Sequence, residues 1–213
     1  DFWQLVKPTV RKMESPDGVL IVDDSIEEKP YTDLSDLICY HYDHSKDRCI
    51  RGINFVTVLY HSPEGSVPVA FDLVTKTEVE VDKKTGKEKK TSAITKNERY
   101  RNLLETCVKN QISFKYVLND VWFASAENMM FVKKELKKEF VMPLKSNRKI
   151  ALNSEDKANG RYIKLETLIL EEETTREIYL EGVDFPLRMI KQVFTKGGGS
   201  TGIITLVTSN TTS

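Results

Sequence analysis

The sequence predicts a mixed α/β fold that ends in a strand-rich segment. An unbroken aliphatic run, Val19–Val22, is typical of a strand buried on both faces. Five residues share the spacing of one buried helical face: Tyr100, Leu103, Leu104, Cys107 and Val108. From Arg161 onward, by contrast, the pattern contains strand-like segments and no convincing helix. These observations favour a mixed sheet with helices in the first part of the chain.

The first elements follow from turn residues and apolar runs. Residues 16–18, Pro-Asp-Gly, precede the Val19 strand, and Asp23-Asp24 ends it. Two further runs, Gly52–Tyr60 and Val67–Val74, flank Ser62–Gly65, which carries proline and glycine where a tight turn favours them. We therefore expect a hairpin. The polar segment Asp82–Lys90 lacks periodicity, so we expect a mobile, solvated loop there.

The later elements alternate between helix and strand before the pattern changes. The helix that contains Tyr100 is followed by a short strand, Phe114–Leu118. Ser125 can cap a second helix, with Met129, Val132 and Leu136 on its inner face. The remaining predicted strands are Phe140–Met142, Tyr162–Leu170, Glu177–Leu180, Leu187–Phe194 and Ile203–Thr208. The glycine-rich residues 195–200 are expected to form a hairpin turn rather than a phosphate-binding loop.

Composition indicates a globular protein without a membrane role. Hydrophobic residues make up 39% of the 213 residues and charged residues 30%, and no apolar run approaches the roughly 20 residues of a membrane helix. The net charge is zero, so overall charge gives no argument for a polyanionic partner. Cys39, Cys49 and Cys107 are odd in number and lack metal-binding spacing. With no signal peptide visible, we expect an excised segment of a cytoplasmic protein.

Two aspartates that follow predicted strands form a candidate metal site. Asp24 and Asp120 would meet at the carboxyl ends of adjacent strands if the intervening helix crosses over right-handed. Paired carboxylates repel unless a divalent cation lies between them, and magnesium prefers such oxygen ligands. Strand alternation places Asp24 on the face of Leu20 and Val22 and Asp23 on the opposite face, so only one of the two can be the inward ligand, and Asp23 stays the alternative to Asp24. Strand-terminal aspartates that merely cap turns are the alternative.

A resemblance spread over nearly the whole chain supports the metal interpretation. It is carried, in order, by residues 19–30 (VLIVDDSIEEKP), 41–45 (HYDHS), 52–54 (GIN), 67–71 (VPVAF), 95–98 (TKNE), 116–123 (YVLNDVWF) and 143–148 (PLKSNR). Together these segments resemble the DDE transposases of bacterial insertion sequences. The resemblance implies a ribonuclease H-like sheet flanked by helices, with a β-rich insertion in the C-terminal part. We accordingly expect a catalytic core over 1–150, the insertion over 151–200 and the last core strand over 201–213.

The same resemblance implies a function and its residues. Asp24, which is followed by Ser25 as in relatives, and Asp120 would be the first two catalytic acids and the ligands of Mg²⁺ or Mn²⁺. No glutamate matches the third acid, because Glu171–Glu173 and Glu181 lie in the β-rich stretch. We expect that acid beyond Ser213. The implied activity is phosphodiester hydrolysis and strand transfer at transposon ends, in a fragment that is inactive alone.

The implied partners are DNA, as transposon ends and target, and a second copy of the full-length protein. The implied setting is the bacterial cytoplasm, in association with the nucleoid. Two alternatives stay open. The first is a catalytically inactive DNA-binding or interaction domain derived from a transposase. The second is another ribonuclease H-like nuclease, although such compact enzymes do not need a β-rich insertion.

A basic segment is the candidate DNA contact. Between residues 133 and 149 there are seven basic residues and two acidic ones. Lys145, Arg148 and Lys149 are the best candidates for phosphate binding, while a solvated helix face is as good an interpretation of the helical part. Trp122 is expected in the core rather than stacked on a base. His41 and His44 are not expected to bind zinc, because no second ligand pair exists.

Overall fold

The computed structural model describes residues 2–43, 46–81, 83, 86–169, 174–195, 199 and 201–211. The fold is mixed α/β, with a large mixed sheet and few helices, as in ribonuclease H-like proteins. The chain divides into two compact units. The first contains Asp1–Met13 and Val22–Ile112, and the second contains Glu14–Ile21 and Ser113–Ser213.

The first unit combines antiparallel strands with two helices. Its elements are α1 (Phe2–Met13), most of β1 (Val19–Glu28), β2 (Cys39–Asp43), β3 (Arg48–Ser62), β4 (Gly65–Leu73), β5 (Glu78–Val81), β6 (Glu88–Thr91) and α2 (Lys96–Lys109). The long strand β3 pairs with β1, and it pairs antiparallel with β2 near its start and with β4 near its end. Strands β5 and β6 form a separate hairpin.

Packing in the first unit explains why these segments take these forms. Strand β3 alternates between buried and less buried residues over most of its length, as a strand with one face on the core requires. Helix α1 buries Trp3 and Val10, and Arg11 donates to the carbonyls of Asn110 and Gln111 at 2.8 and 2.9 Å. These bonds connect α1 to the end of α2. Helix α2 buries Tyr100 and its neighbours against the strands.

The second unit is dominated by strands. Its elements are β7 (Tyr116–Asn119), α3 (Ala126–Met130), a π-helical turn (Phe131–Glu135), β8 (Glu139–Pro143), β9 (Lys149–Ala151), α4 (Ser154–Ala158), β10 (Ile163–Lys164), a 3₁₀ turn (Leu165–Thr167), β11 (Thr175–Leu180), β12 (Leu187–Thr195) and β13 (Thr201–Thr208). The strand order is β10-β9-β11-β12-β13-β8-β7, followed by β1, whose first residues belong to this unit. Strands β7 and β8 are parallel, and the pairs β8–β13, β13–β12 and β12–β11 are antiparallel.

Several predictions of secondary structure are confirmed. Strands β3 and β4 form the expected hairpin around the turn at Pro63 and Glu64. Helix α2 buries four of the five residues that predicted it. Ser125 caps α3 by accepting from the backbone N–H of Asn128, and Met129 and Val132 are buried.

Other predictions of secondary structure are wrong. Glu88–Thr91 is a strand rather than part of a loop, because backbone pairing with β5 stabilises it without apolar burial. Tyr162–Leu170 is not one strand, since only Ile163 and Lys164 pair with β9 before a 3₁₀ turn begins. Val108, the fifth residue expected on the buried face of α2, is instead 41% exposed.

Some predicted features lie outside the described residues. They are His44 and Ser45, positions 82, 84 and 85 of the predicted loop, residues 170–173 with Glu171–Glu173, and most of the glycine-rich turn at 195–200.

Candidate active site

Asp24 lies on the inward face of β1. Exposure alternates along this strand: Leu20 and Val22 are buried, Asp24 is half-buried and Asp23 is exposed. The Asp24 side chain is 17% exposed. Asp23 instead accepts a hydrogen bond through Oδ1 from the backbone N–H of Asp24 at 2.8 Å. Asp24 therefore lies on the more buried face of β1 and Asp23 on the more exposed face.

A lysine at the start of α2 pairs with Asp24. Lys96 Nζ donates to Asp24 Oδ2 in a short contact. The position of Lys96 is set by a capping box, in which Thr95 Oγ1 accepts from the Glu98 backbone N–H at 3.2 Å and Glu98 Oε2 accepts from the Thr95 backbone N–H at 2.7 Å. Hydrogen bonding of the Glu98 carboxylate to the Thr95 backbone N–H, and to a lesser extent to the Thr95 hydroxyl, holds the pKa of Glu98 below its usual value. A fixed helix start thus brings a cation to the Asp24 carboxylate.

A buried histidine lies in the electrostatic field of Asp24 and Lys96. His41 on β2 is 6% exposed, and its Nε2 lies 3.2 Å from Cys39 Sγ. Burial lowers the pKa of His41 to about 4, and the charges of Lys76 and Lys96 act in the same direction, while Asp24 opposes them. Burial also raises the pKa of the Cys39 thiol. The pair is therefore neutral at pH 7, and His41 does not add a positive charge beside Asp24.

Asp120 lies at the end of β7, where its carboxylate organises the following turn. Its Oδ1 accepts from the backbone N–H of Trp122 at 3.0 Å and from that of Phe123 at 3.4 Å. Asn119 Nδ2 also donates to the Asp120 carbonyl at 2.8 Å. This is the turn-capping role that the sequence left open as an alternative, and a carboxylate oxygen held in this way is fixed in position.

Asp120 also lines a cavity of about 910 Å³ in the second unit. Apolar residues of β7, β8 and β13 form much of the lining, and Glu166 and Lys191 add one acidic and one basic side chain. Sequence reasoning missed Glu166 because it placed this residue inside a strand, whereas it lies in the 3₁₀ turn after β10. Its spacing from other acids offered no signal.

The expectation that Trp122 belongs to the core is wrong. The Trp122 side chain is 48% exposed, whereas the next residue, Phe123, is buried and only 1% exposed. In β7, Val117 and Asn119 are buried while Tyr116 and Leu118 are half-buried, and Phe123 and Trp122 keep the same odd–even order, buried and exposed. Lys145 Nζ lies 4.0 Å from the centroid of the Trp122 ring, within cation–π range.

The predicted phosphate-binding residues lie close together. Lys145, Arg148 and Lys149 line one cavity of about 420 Å³, together with Ala126, Asn147 and Glu181. Lys149 pairs with Glu181 at 3.3 Å, and both side chains are more than half exposed. Exposed pairs of this kind contribute little to stability and are readily exchanged for another anion.

The helical part of the basic segment is used within the protein. Lys133 pairs with Glu139 at 2.7 Å, and Lys134 pairs with Asp184 at 3.2 Å. Lys138 donates to the Phe114 carbonyl at 2.7 Å. These three lysines therefore have partners within the protein, although only Lys133 and Lys134 lie in the π-helical turn and none of the partners does.

His, Cys, Asp and Glu side chains that could bind a metal ion do not form clusters of three or more in the described part of the chain. His44 lies outside the described residues, so the expectation that His41 and His44 do not bind zinc stays a prediction. Asp24 belongs to the first unit and Asp120 to the second.

Comparison with protein families assigns the chain to a family. The family described as DDE superfamily endonuclease matches residues 3–164. The chain belongs to this family. The match contains Asp24, Asp120, Lys145, Arg148 and Lys149, and it supports a nuclease- or transposase-type function with DNA as the substrate. Nucleases of this superfamily typically use divalent metal ions. No curated protein matches the chain, and no described helix is both long and apolar enough to cross a membrane.

Proposed function

We propose that this DDE superfamily endonuclease is the catalytic part of a DNA transposase. It would hydrolyse phosphodiester bonds at transposon ends and transfer the resulting 3′-hydroxyl to target DNA. One observation carries the proposal: the family match contains Asp24, an inward strand carboxylate whose charge is already balanced by a cation, Lys96.

Asp24 and Asp120 are the proposed ligands of Mg²⁺ or Mn²⁺. Their donor chemistry fits, because carboxylate oxygens are the ligands that these hard cations prefer. Lys96 already pairs with Asp24, so a metal ion would replace the ammonium group at this carboxylate. When bound, the metal ions would activate the attacking hydroxyl and stabilise the leaving oxygen. That the two aspartates act together rests on the strand order predicted from the sequence and on the family.

The chain's own residues would hold the DNA around these carboxylates. Asp120 Oδ1 is fixed by two backbone N–H groups, so the orientation of its carboxylate is set before substrate binds. Lys145, Arg148 and Lys149 would hold phosphates of the DNA backbone, without reading sequence. Binding should therefore be weak, sequence-tolerant and sensitive to salt.

A third acid is part of the proposal. No group of three candidate ligands occurs in the described residues. Two carboxylates orient metal ions less well than three, so we infer that this chain alone cleaves DNA poorly. Full activity would require a third acid beside Asp24 and Asp120, and we also propose that the enzyme acts as a homodimer.

The decisive experiment is a metal titration with matched variants. Mn²⁺ is titrated by calorimetry into the unmodified chain and into Asp24→Asn, Asp120→Asn and Asp23→Asn. Asp23→Asn is the control, because it removes the same charge from the exposed face of the same strand. Weaker binding in the first two variants and unchanged binding in the control is the expected result. If neither Asp24→Asn nor Asp120→Asn weakens binding, the chain is better explained as an inactive DNA-binding domain.

A further inference from the structure

An exposed tryptophan lies two residues beyond Asp120. The Trp122 side chain is 48% exposed although an indole gains more from burial than most side chains. Its neighbour Phe123 is 1% exposed, so the turn buries one aromatic side chain and presents the other to solvent. An aromatic ring held outward beside a candidate catalytic carboxylate is suited to contact a ligand.

The backbone that carries Trp122 is fixed on both sides. The Trp122 N–H donates to Asp120 Oδ1 at 3.0 Å, so the ring and the carboxylate belong to the same hydrogen-bonded turn. On the other side, the Phe123 carbonyl accepts from Ser125 N at 2.9 Å and from Asn128 Nδ2 at 2.9 Å. Residues two apart are separated by at most about 7 Å between Cα atoms. Any group that stacks on Trp122 therefore lies close to Asp120.

The charge next to the ring indicates the kind of ligand. Lys145 Nζ lies 4.0 Å from the ring centroid, and the Lys145 side chain also lines the cavity that contains Arg148 and Lys149. Lys145 Nζ lies over one face of the ring, so a base would stack on the opposite face. An aromatic ring with cations nearby is the combination that binds single-stranded nucleic acid, because bases stack on the ring while phosphates meet the cations. A hydrophobic protein partner would not require the adjacent positive charge.

We propose that Trp122 and Lys145 form a base-stacking platform, which holds one unpaired nucleobase of the DNA next to the phosphodiester bond at Asp120. The proposal rests on the proposed function, since it assumes DNA at Asp120. Within a duplex each base is stacked on its neighbours, so the platform acts on a strand that is single-stranded or has one nucleotide turned out of the stack. Lys145 would hold the phosphate next to that nucleotide.

The sequence offers a direct probe, because it contains two tryptophans, Trp3 and Trp122. Trp3 is 8% exposed. In a Trp3→Phe variant of the full chain, Trp122 is the sole source of tryptophan emission. Single-stranded oligothymidine and a duplex of the same length are titrated in EDTA, so that no metal ion contributes. Quenching by the single strand, and much less by the duplex, is the expected result.

Affinity measurements with matched variants complete the test. Trp122→Ala should weaken binding of single-stranded DNA by about 5-fold to 100-fold, whereas duplex binding should stay unchanged. Trp122→Phe retains an aromatic face and should recover most of the affinity. Phe194→Ala is the control, because Phe194 is a similarly exposed aromatic residue, 46%, in the same unit.

The outcomes separate this proposal from the proposed function. An unchanged affinity in Trp122→Ala, or an equal loss for single-stranded and duplex DNA, would overturn the platform. Neither result bears on the metal ligands, which the Mn²⁺ titration tests without DNA. Conversely, a platform that binds single strands in a chain whose Asp24 and Asp120 variants bind Mn²⁺ normally would refute the proposed function alone.

Discussion

Lys96 donates to Asp24 across a contact between the first residue of α2 and the inward face of β1. The capping box of Thr95 and Glu98 fixes where the helix begins, and so fixes the reach of the lysine. Asp24 is 17% exposed and Lys96 is 42% exposed, so water still reaches the pair. The ion pair is therefore weak enough to be exchanged.

Removing the Lys96 charge should strengthen metal binding at Asp24. The ammonium group competes with a divalent cation for the same carboxylate, and an exposed pair contributes about 0.5–1 kcal/mol. Lys96→Met should therefore tighten Mn²⁺ binding by about 2-fold to 5-fold in calorimetry. Lys109→Met is the control, because it removes an equal charge from the last residue of the same helix, where Lys109 pairs with Glu105. A weaker Mn²⁺ affinity in Lys96→Met than in Lys109→Met would contradict competition.

The strand that carries Asp24 can be predicted from the sequence, but the residues that contact Asp24 in the fold cannot. Strand alternation is a local property, so the sequence alone predicts that Asp24 shares a face with Leu20 and Val22. Only the structure shows that this face is the more buried one, because residues 19–22 are all apolar. The contact with Lys96 depends on how α2 packs on the strands, which no local pattern encodes. The residue type of Trp122 predicts a core position, whereas the burial pattern of β7 gives the buried position to Phe123. Strand β6 carries no apolar alternation, and its form depends on pairing with β5.

Acidification should destabilise the protein through His41. Its pKa is about 4 in the folded chain against an ordinary value of 6.5, so the unfolded chain binds more protons between these values. Stability attributable to His41 is complete above pH 6.5 and falls as the pH drops toward 4, by roughly 2–3 kcal/mol in total. Urea unfolding at pH 7, 6 and 5 should show this decline. In His41→Gln the slope should flatten, whereas it should persist in His61→Gln, since His61 is exposed. Equal slopes in all three proteins would rule out His41 as the cause.

Gly52 is required by the close approach of β1 to β3. A Cβ atom at this position would lie 2.2 Å from the Glu27 carbonyl oxygen and 3.1 Å from the Glu28 Cα, both backbone atoms that cannot rotate away. Gly52→Ala should therefore lower the free energy of unfolding by about 3 kcal/mol. Gly86→Ala is the control: its φ is +67° but a Cβ there meets nothing within 4 Å, so it should cost only about 1 kcal/mol. Urea unfolding that ranks the two variants in the opposite order would show that β1 can shift freely.

Arg99, a buried residue of α2, should contribute to stability only while it is paired with Asp72. The arginine is 5% exposed. Its Nη1 donates to Asp72 Oδ2 at 2.6 Å and to the Leu73 carbonyl at 3.1 Å, and its Nη2 donates to Ser92 Oγ at 3.1 Å. Asp72→Ala leaves the guanidinium buried without its counter-charge, and should cost about 2 kcal/mol, less than a fully buried pair because the Asp72 side chain is 38% exposed.

Arg99→Met tests the same pair from the other side, since it replaces the charge with an apolar chain of similar length. In the Arg99→Met/Asp72→Ala double variant the buried charge is absent, so the second substitution should add little to the first. Urea unfolding of the four proteins yields the coupling energy, which we expect at about 1–2 kcal/mol. Additive losses would mean that Asp72 stabilises the unit through contacts other than its bond to Arg99.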